Sequence, residues 1–194
     1  MTLSVYDILS HLIPGSLVYL SFLYMLGVSF EIIPTVLASA IAYILGYVVN
    51  AISSWLEDLL YWSWGGKPSS RLLEGQSIWK VKMFEGSKAK AMLLKESGKE
   101  QATNDELFQI AMRSVDMTAE TRVADFNSTY AFSRNILGAI FFASAFVVST
   151  NPGPMPFGTA LVVLFVVWLR TKQRGYYFAR EVLLQYLTSK RKKK

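Results

Sequence analysis

An uncharged apolar run over residues 35–52, extended by Ser53 and Ser54, constrains this fold more than any other feature of the sequence. A bilayer hydrocarbon core of about 30 Å takes roughly 20 helical residues at ~1.5 Å each, so the run is long enough to cross it. Aromatic residues follow at the positions expected for a membrane-surface belt, namely Trp55, Tyr61, Trp62 and Trp64. The run therefore predicts a transmembrane helix that ends at a membrane surface.

Small side chains recur every four residues along one face of this predicted helix, and Asn50 adds a hydrogen-bonding group to them. We call this face the stripe; it consists of Ala38, Ala42, Gly46, Asn50 and Ser54. Small residues let helix backbones approach closely, so we favour helix packing, either within one monomer or between subunits. The alternative is that the stripe lines an ion or water path, although a pore usually needs more polar faces than these segments have.

Another apolar segment precedes the run, over residues 12–30. Pro14 is expected in its first helical turn, where a proline is tolerated. A short connection around Glu31 and Pro34, without lysine, joins this segment to the 35–52 run. The N-terminal part of the chain is therefore predicted to be a transmembrane hairpin.

A second apolar hairpin lies near the C-terminus. Its two segments cover residues 135–150 and 157–169, and the prolines of the sequence NPGPMP predict a turn between them. Arg134 and Arg170 bracket this hairpin, and we expect both side chains to extend their charges to the membrane surface. Together the two hairpins give four predicted membrane spans.

The polar sequence between the hairpins predicts a small helical domain outside the membrane. Two amphipathic helices are expected, over residues 77–97 with an interruption at Gly86 and over residues 103–115. Asn104, Asp105 and Glu106 form a good helix start. A further helix is expected to begin near Thr118 and to continue into the third span. We predict an all-α membrane protein, with an N-terminal transmembrane hairpin (1–64), a cytoplasmic domain (65–133), a C-terminal transmembrane hairpin (134–170) and a basic amphipathic tail (171–194).

The distribution of positive charge predicts the orientation. All 20 Lys and Arg residues lie in the central domain or the C-terminal region, while residues 1–66 and both hairpin connections contain none. Because cytoplasmic loops carry the excess of Lys and Arg, these two regions and both termini are expected in the cytoplasm. The lack of a basic segment before the first apolar stretch argues against a cleavable signal, so we expect that stretch to be retained.

The sequence offers little chemistry for catalysis. It has no cysteine and a single histidine, His11, so we predict no catalytic, metal or cofactor site. The sequence GGKPSS at residues 65–70 lacks the spacing of a phosphate loop and is interpreted as a turn. The adjacent Glu57 and Asp58 point in different directions on a helix and have no second carboxylate pair, so an enzyme acting at the membrane is the less favoured interpretation.

Two polar regions are candidates for binding. The first is a cluster on the helix leading into span three, where it would lie at the membrane mouth; its residues are Arg122, Asp125, Tyr130, Ser133, Arg134 and Asn135. An ion pair between Arg122 and Asp125 and an anchoring role are favoured, and a docking or gating site is the alternative. The second region is the basic end of the chain, a candidate lipid or partner contact formed by Lys190, Arg191, Lys192, Lys193 and Lys194. We do not expect direct nucleic-acid binding, because the central domain has no concentrated basic face.

Four sequence stretches carry a resemblance. The sequences YDILSHLIPG, AYILGYVVNAISSWLE, WGGKPSSRLLEG and YAFSRN resemble those of small bacterial multi-span proteins of anti-phage defence loci. Examples are the membrane subunit of the Kiwa system and the membrane accessory proteins of type VI-B CRISPR loci. The resemblance implies an oligomeric, non-enzymatic inner-membrane protein that works with a soluble cytoplasmic partner. A small pore-forming effector is the alternative function.

Overall fold

The computed structural model describes residues 5–29, 34–78, 81–99, 101–116 and 121–192. Within these ranges all regular elements are α-helices, as predicted, and the β pairing is limited to an isolated bridge between Ile78 and Val81. The helices are α1 Val5–Leu26, α2 Thr35–Trp55, α3 Glu57–Ser63, α4 Pro68–Leu73, α5 Gly86–Ser97, α6 Asn104–Arg113, α7 Arg122–Thr150 and α8 Pro154–Lys192. The loop predicted around Glu31 lies outside the described residues.

The chain divides into two compact units. The span unit comprises the residues up to Glu57 together with Ala131–Thr171, and the core unit comprises Asp58–Tyr130 together with the residues from Lys172 onward. Four helices, α1, α2, α7 and α8, are long and apolar enough to cross a membrane. Four candidate membrane helices are thus present, as the sequence predicted.

Helix α1 differs from its prediction at both ends. It begins at Val5 rather than at residue 12, so Pro14 lies inside the helix and the prediction of a first-turn proline is wrong. The helix ends at Leu26 because Gly27 adopts a left-handed conformation with φ +68°. The Gly27 amide donates to Tyr24 O and the Val28 amide to Leu23 O, the hydrogen-bond pattern that closes many helix C-termini at glycine.

In the span unit, the most deeply buried apolar residues are small, such as Ala42 and Ala139, although Tyr19 and Leu23 are buried as well. A minor apolar cluster joins Val18 of α1, Val49 of α2 and Ala139 of α7. The Thr171 hydroxyl donates to Ser133 O at 3.1 Å and thereby connects α8 to α7. Large apolar side chains such as Val36, Ile44 and Phe165 are exposed, which is the arrangement expected where lipid covers the helix surface.

The core unit has a packed apolar interior. Leucines from four helices are fully buried there, namely Leu72, Leu93, Leu107 and Leu183. The part of α8 beyond the apolar segment 157–169 contributes Tyr176, Tyr186 and their neighbours to this interior. The segment predicted as a basic amphipathic tail therefore packs its apolar face into the core of the unit.

The starts of α5 and α6 in the core unit can each be related to a local contact of the chain. The helix expected over residues 77–97 begins only at Gly86, because the chain before it forms the bridge at Ile78. The start of α6 is confirmed: Thr103 accepts from the Glu106 amide, and the Glu106 carboxylate accepts from the Thr103 amide. This reciprocal capping box satisfies two amides that a helix end leaves without partners.

The long helices α7 and α8 also correct the sequence analysis. The helix expected from Thr118 is described from Arg122, since residues 117–120 lie outside the described residues. The NPGPMP sequence was predicted to be a turn throughout, yet α8 begins at Pro154 and includes Pro156. Both prolines lie in the first turn, where backbone amides have no helical partner to lose.

Candidate functional site

The stripe of α2 faces α1 of the same chain. A Cβ atom built on Gly46 would lie 1.8 Å from the backbone oxygen of His11, and one built on Gly15 would lie 1.7 Å from the backbone oxygen of Ala42. Ala42 and Gly46 are buried, whereas Ala38 and Asn50 are partly buried. Of the two packing alternatives, the contact within one monomer is therefore present along the centre of the stripe.

A polar contact accompanies this close packing. Asn50 Nδ2 lies 3.3 Å from His11 Nε2, and the His11 ring stacks on Tyr47 with centroids 6.0 Å apart. Ser10 Oγ lies 3.3 Å from the other ring nitrogen. Sequence analysis found no partner for His11, because residue 11 and residue 50 meet only when the hairpin closes. The polar group that Asn50 adds to the stripe thus contacts His11 and connects α2 to α1.

An ion pair lies at the C-terminal end of the stripe, next to Ser54. Arg134 Nη1 of α7 is 3.1 Å from Glu57 Oε2, and Arg134 Nη2 donates to Ser54 Oγ at 2.8 Å. The Arg134 side chain is only 12% exposed. The structure thus gives this arginine a carboxylate partner instead of the extended conformation toward water that the sequence predicted. No local sequence signal relates Glu57 to Arg134, which lie on different helices.

Several buried polar atoms in the span unit have no hydrogen-bond partner among the described residues. One is the Tyr19 hydroxyl of α1, and two others are Asn135 Oδ1 of α7 and Ser53 Oγ of α2. Gly138 packs against Ser53, since a Cβ on this glycine would lie 2.3 Å from Ser53 Oγ. Buried polar groups normally have partners, so these two atoms are candidates for contact with water or an ion.

The residues of the predicted membrane-mouth cluster all lie on α7 but are divided between the two units. Arg134 and Asn135 belong to the span unit, whereas Arg122, Asp125 and Tyr130 belong to the core unit. The expected pair between Arg122 and Asp125 is wrong: Arg122 Nε lies 3.5 Å from Glu181 Oε1, and Asp125 is exposed. Arg122 pairs with the carboxylate of a neighbouring helix instead of the carboxylate three residues along its own helix, because the former is closer.

The predicted aromatic belt is also divided. Trp55 is 79% exposed and Trp62 is 78% exposed, as residues of a belt would be. Trp64 is 1% exposed, so its assignment to the belt is wrong. It lies past the end of α3, where it packs edge-on against Tyr61 and Tyr130, and the Tyr130 hydroxyl donates to the Tyr61 hydroxyl at 3.2 Å.

The basic end of the chain is partly engaged inside the core unit. Lys190 Nζ lies 2.8 Å from Glu96 Oε1, and Arg191 pairs with Glu85. The Tyr186 hydroxyl donates to Glu96 at 2.7 Å, and burial together with this carboxylate raises the pKa of Tyr186 well above its ordinary value. Of the predicted lipid or partner contacts, Lys190 and Arg191 thus hold α8 against α5. The Lys192 side chain, Lys193 and Lys194 lie outside the described residues.

The described residues contain no group of three or more His, Asp or Glu side chains that could hold a metal ion.

Neither the protein-family models nor the curated proteins nor the solved structures gave a match to this chain. Its function therefore has to be argued from its own geometry.

Proposed function

We propose that this chain is a non-enzymatic component of the bacterial inner membrane that acts in anti-phage defence or a stress response. The four apolar helices hold it in the membrane with both termini in the cytoplasm, and the core unit contacts a soluble protein partner. The sequence resemblance to membrane proteins of defence loci is one support. The proposed homo-oligomer would use a face other than the centre of the stripe, because α1 already covers it.

The observation that carries this proposal is the separate interior of the core unit. Sixteen described side chains form one buried apolar cluster there, and none of them belongs to the span unit. A protein that only anchors or permeabilises a membrane does not need such a unit, whereas a protein that presents a surface to a partner does. Phe84, which is 92% exposed on this unit, is the contact residue that we propose, since exposed aromatic side chains often anchor interfaces.

The test is site-specific photo-crosslinking in the native host. A photoreactive amino acid at Phe84 should give a crosslink to a soluble protein, while the same group at the exposed Gln101 should not. Phe84→Ser should keep normal expression but lose both partner recovery in mild detergent and protection against phage. Protection that survives Phe84→Ser, with an unchanged oligomer mass and no crosslink, would contradict a partner contact at this site.

The proposed orientation has its own test. A reporter fused after Pro154 should behave as periplasmic, and reporters fused after Lys99 or Lys194 should behave as cytoplasmic. Cytoplasmic behaviour at Pro154 would overturn the topology without affecting the helices themselves.

A pore-forming effector is the second candidate. It is favoured by the partnerless Asn135 Oδ1 and Ser53 Oγ, because polar atoms buried among membrane helices mark ion or water paths. In this case the protein reconstituted in liposomes should release a trapped dye or ions, and Asn135→Leu should abolish release. Liposomes that stay tight in the presence of the wild-type protein and the recovered partner would exclude this function.

A further inference from the structure

Two cations of the core unit converge on a single backbone oxygen. Arg71 Nη1, in the last turn of α4, donates to Trp64 O at 2.9 Å. Lys172 Nζ, on α8, donates to the same oxygen at 3.3 Å. Since both nitrogen atoms contact one oxygen, the two positive charges are close together and repel each other.

The glycine turn after α3 accommodates the arginine. Gly65 has φ +81°, and a Cβ atom built on it would lie 2.8 Å from Arg71 Nη1. Gln76 Oε1 accepts a hydrogen bond from Arg71 Nε at 2.9 Å. The guanidinium is therefore held by neutral groups beside a turn whose left-handed backbone favours glycine.

The charge of Arg71 is not balanced by an acid. Among the residues that the structure describes, no carboxylate oxygen lies within 4.0 Å of its guanidinium nitrogens. The neighbouring Lys67 differs, because its ammonium pairs with Asp105 at 2.5 Å. A carbonyl at a helix C-terminus has only a partial negative charge, so its hydrogen bond does not neutralise the Arg71 guanidinium. Burial and the charge of Arg71 both lower the pKa of Lys172.

Two other hydrogen-bond donors in this part of the core unit lack acceptors. Trp64 Nε1 and the Tyr176 hydroxyl are buried, and neither has an acceptor among the described residues. Gly175 of α8 lets the Trp64 ring pack closely against this helix, since a Cβ on it would lie 3.2 Å from Trp64 Cζ3. Burial raises the pKa of the Tyr176 hydroxyl, and Arg71, which can only donate a hydrogen bond to it, opposes this rise and leaves the tyrosine proton without an acceptor. Buried donors without acceptors are costly, and a bound acceptor would relieve that cost.

We propose that Arg71 and Lys172 bind a phosphate group. A guanidinium and an ammonium side by side suit the several oxygens of a phosphate, and each forms a charge-assisted hydrogen bond with it. The group belongs to a phospholipid headgroup or to a soluble phosphate compound. The headgroup is chemically consistent with the position of Lys172, which is the third residue after the apolar segment 157–169. The proposed site differs from a phosphate loop, in which backbone amides bind the phosphate. Here the side chains of Arg71 and Lys172 would bind it, and the glycines shape the turn beside Arg71.

The test uses the full-length protein in an uncharged detergent. Isothermal titration calorimetry would measure binding of two probes, dihexanoylphosphatidylglycerol and inorganic phosphate, with sodium chloride at matched ionic strength as the blank. Arg71→Lys keeps the charge but loses the guanidinium fork, and Lys172→Gln removes one charge from a half-buried position. We expect each to weaken binding at least roughly tenfold. Lys82→Gln, which removes an exposed charge of the same unit, should leave affinity unchanged.

The two probes separate the sources of the phosphate. Binding of the lipid without binding of inorganic phosphate assigns the site to a headgroup, and equal binding of both assigns it to a soluble phosphate compound. Failure of both probes to bind the wild-type protein above the chloride blank would overturn the proposal. Equal weakening by Lys82→Gln and Lys172→Gln would overturn it too, since only general charge would then matter.

Discussion

The two units of this chain achieve burial in opposite ways. In the core unit the fully buried residues are large, such as Leu107, Leu183 and Tyr186. In the span unit they are small, such as Ala42 and Ala139, and large apolar side chains are exposed. Water makes the burial of apolar area favourable, whereas lipid matches apolar side chains almost as well as protein does. The span unit must therefore gain stability from close backbone packing and from polar contacts.

The largest effect is expected where that backbone packing is closest. Gly46→Leu would place a side chain against the backbone of His11, which cannot move aside as a flexible side chain could. We expect a loss of more than about 3 kcal/mol, seen as poor expression and a much lower melting temperature in detergent. The control is Gly158→Leu on α8, where nothing lies within 4 Å of the added Cβ. Equal tolerance of both substitutions would show that α1 does not pack on the stripe.

A second substitution pair tests the role of water in the core unit. Leu107→Ala removes a fully buried side chain and should destabilise the unit by about 3 kcal/mol, because it loses apolar burial and leaves a cavity. Leu161→Ala removes the same atoms from an exposed position in the span unit and should change stability by less than about 0.5 kcal/mol. Denaturant melts of both variants in detergent would measure the difference. Similar losses would mean that Leu161 is covered by protein, for example in an oligomer.

The ion pair of the span unit provides the third test. Arg134→Gln leaves the Glu57 carboxylate in a mostly buried position without its partner, and should cost about 2 kcal/mol. Glu57→Gln in the same background should recover much of this loss, because the uncompensated charge is then gone. A double-mutant cycle on melting temperature measures the coupling. Additive losses would show that the coupling between Arg134 and Glu57 contributes nothing to the stability of the span unit.

Sequence reasoning located the elements whose cause is local. Apolar length identified the four long helices, and the residues after Thr103 identified the start of α6, because a capping box is complete within four residues. It did not locate features that depend on contacts between residues far apart in the sequence. The pairing of Arg134 with Glu57 and the burial of Trp64 require knowledge of which helices meet, and so does the choice between the two packing alternatives for the stripe. The convergence of Arg71 and Lys172 was missed for the same reason.

The smallest expected effect concerns the exposed surface of the core unit at low pH. Hydrogen bonding to Lys99, followed by the Thr103 amide, lowers the pKa of Glu106 below its ordinary value of 4.5. A lowered folded-state pKa stabilises the fold above the unfolded pKa, and this contribution is lost as the pH falls through the folded pKa.

Glu106→Gln keeps an oxygen that can accept in the capping box but removes the charge. The melting temperature of the wild type should therefore exceed that of the variant by a constant small amount near neutral pH, and the gap should close below about pH 4.5. A gap that persists unchanged into acid would show that the contribution of Glu106 comes from its hydrogen-bond geometry and not from its charge.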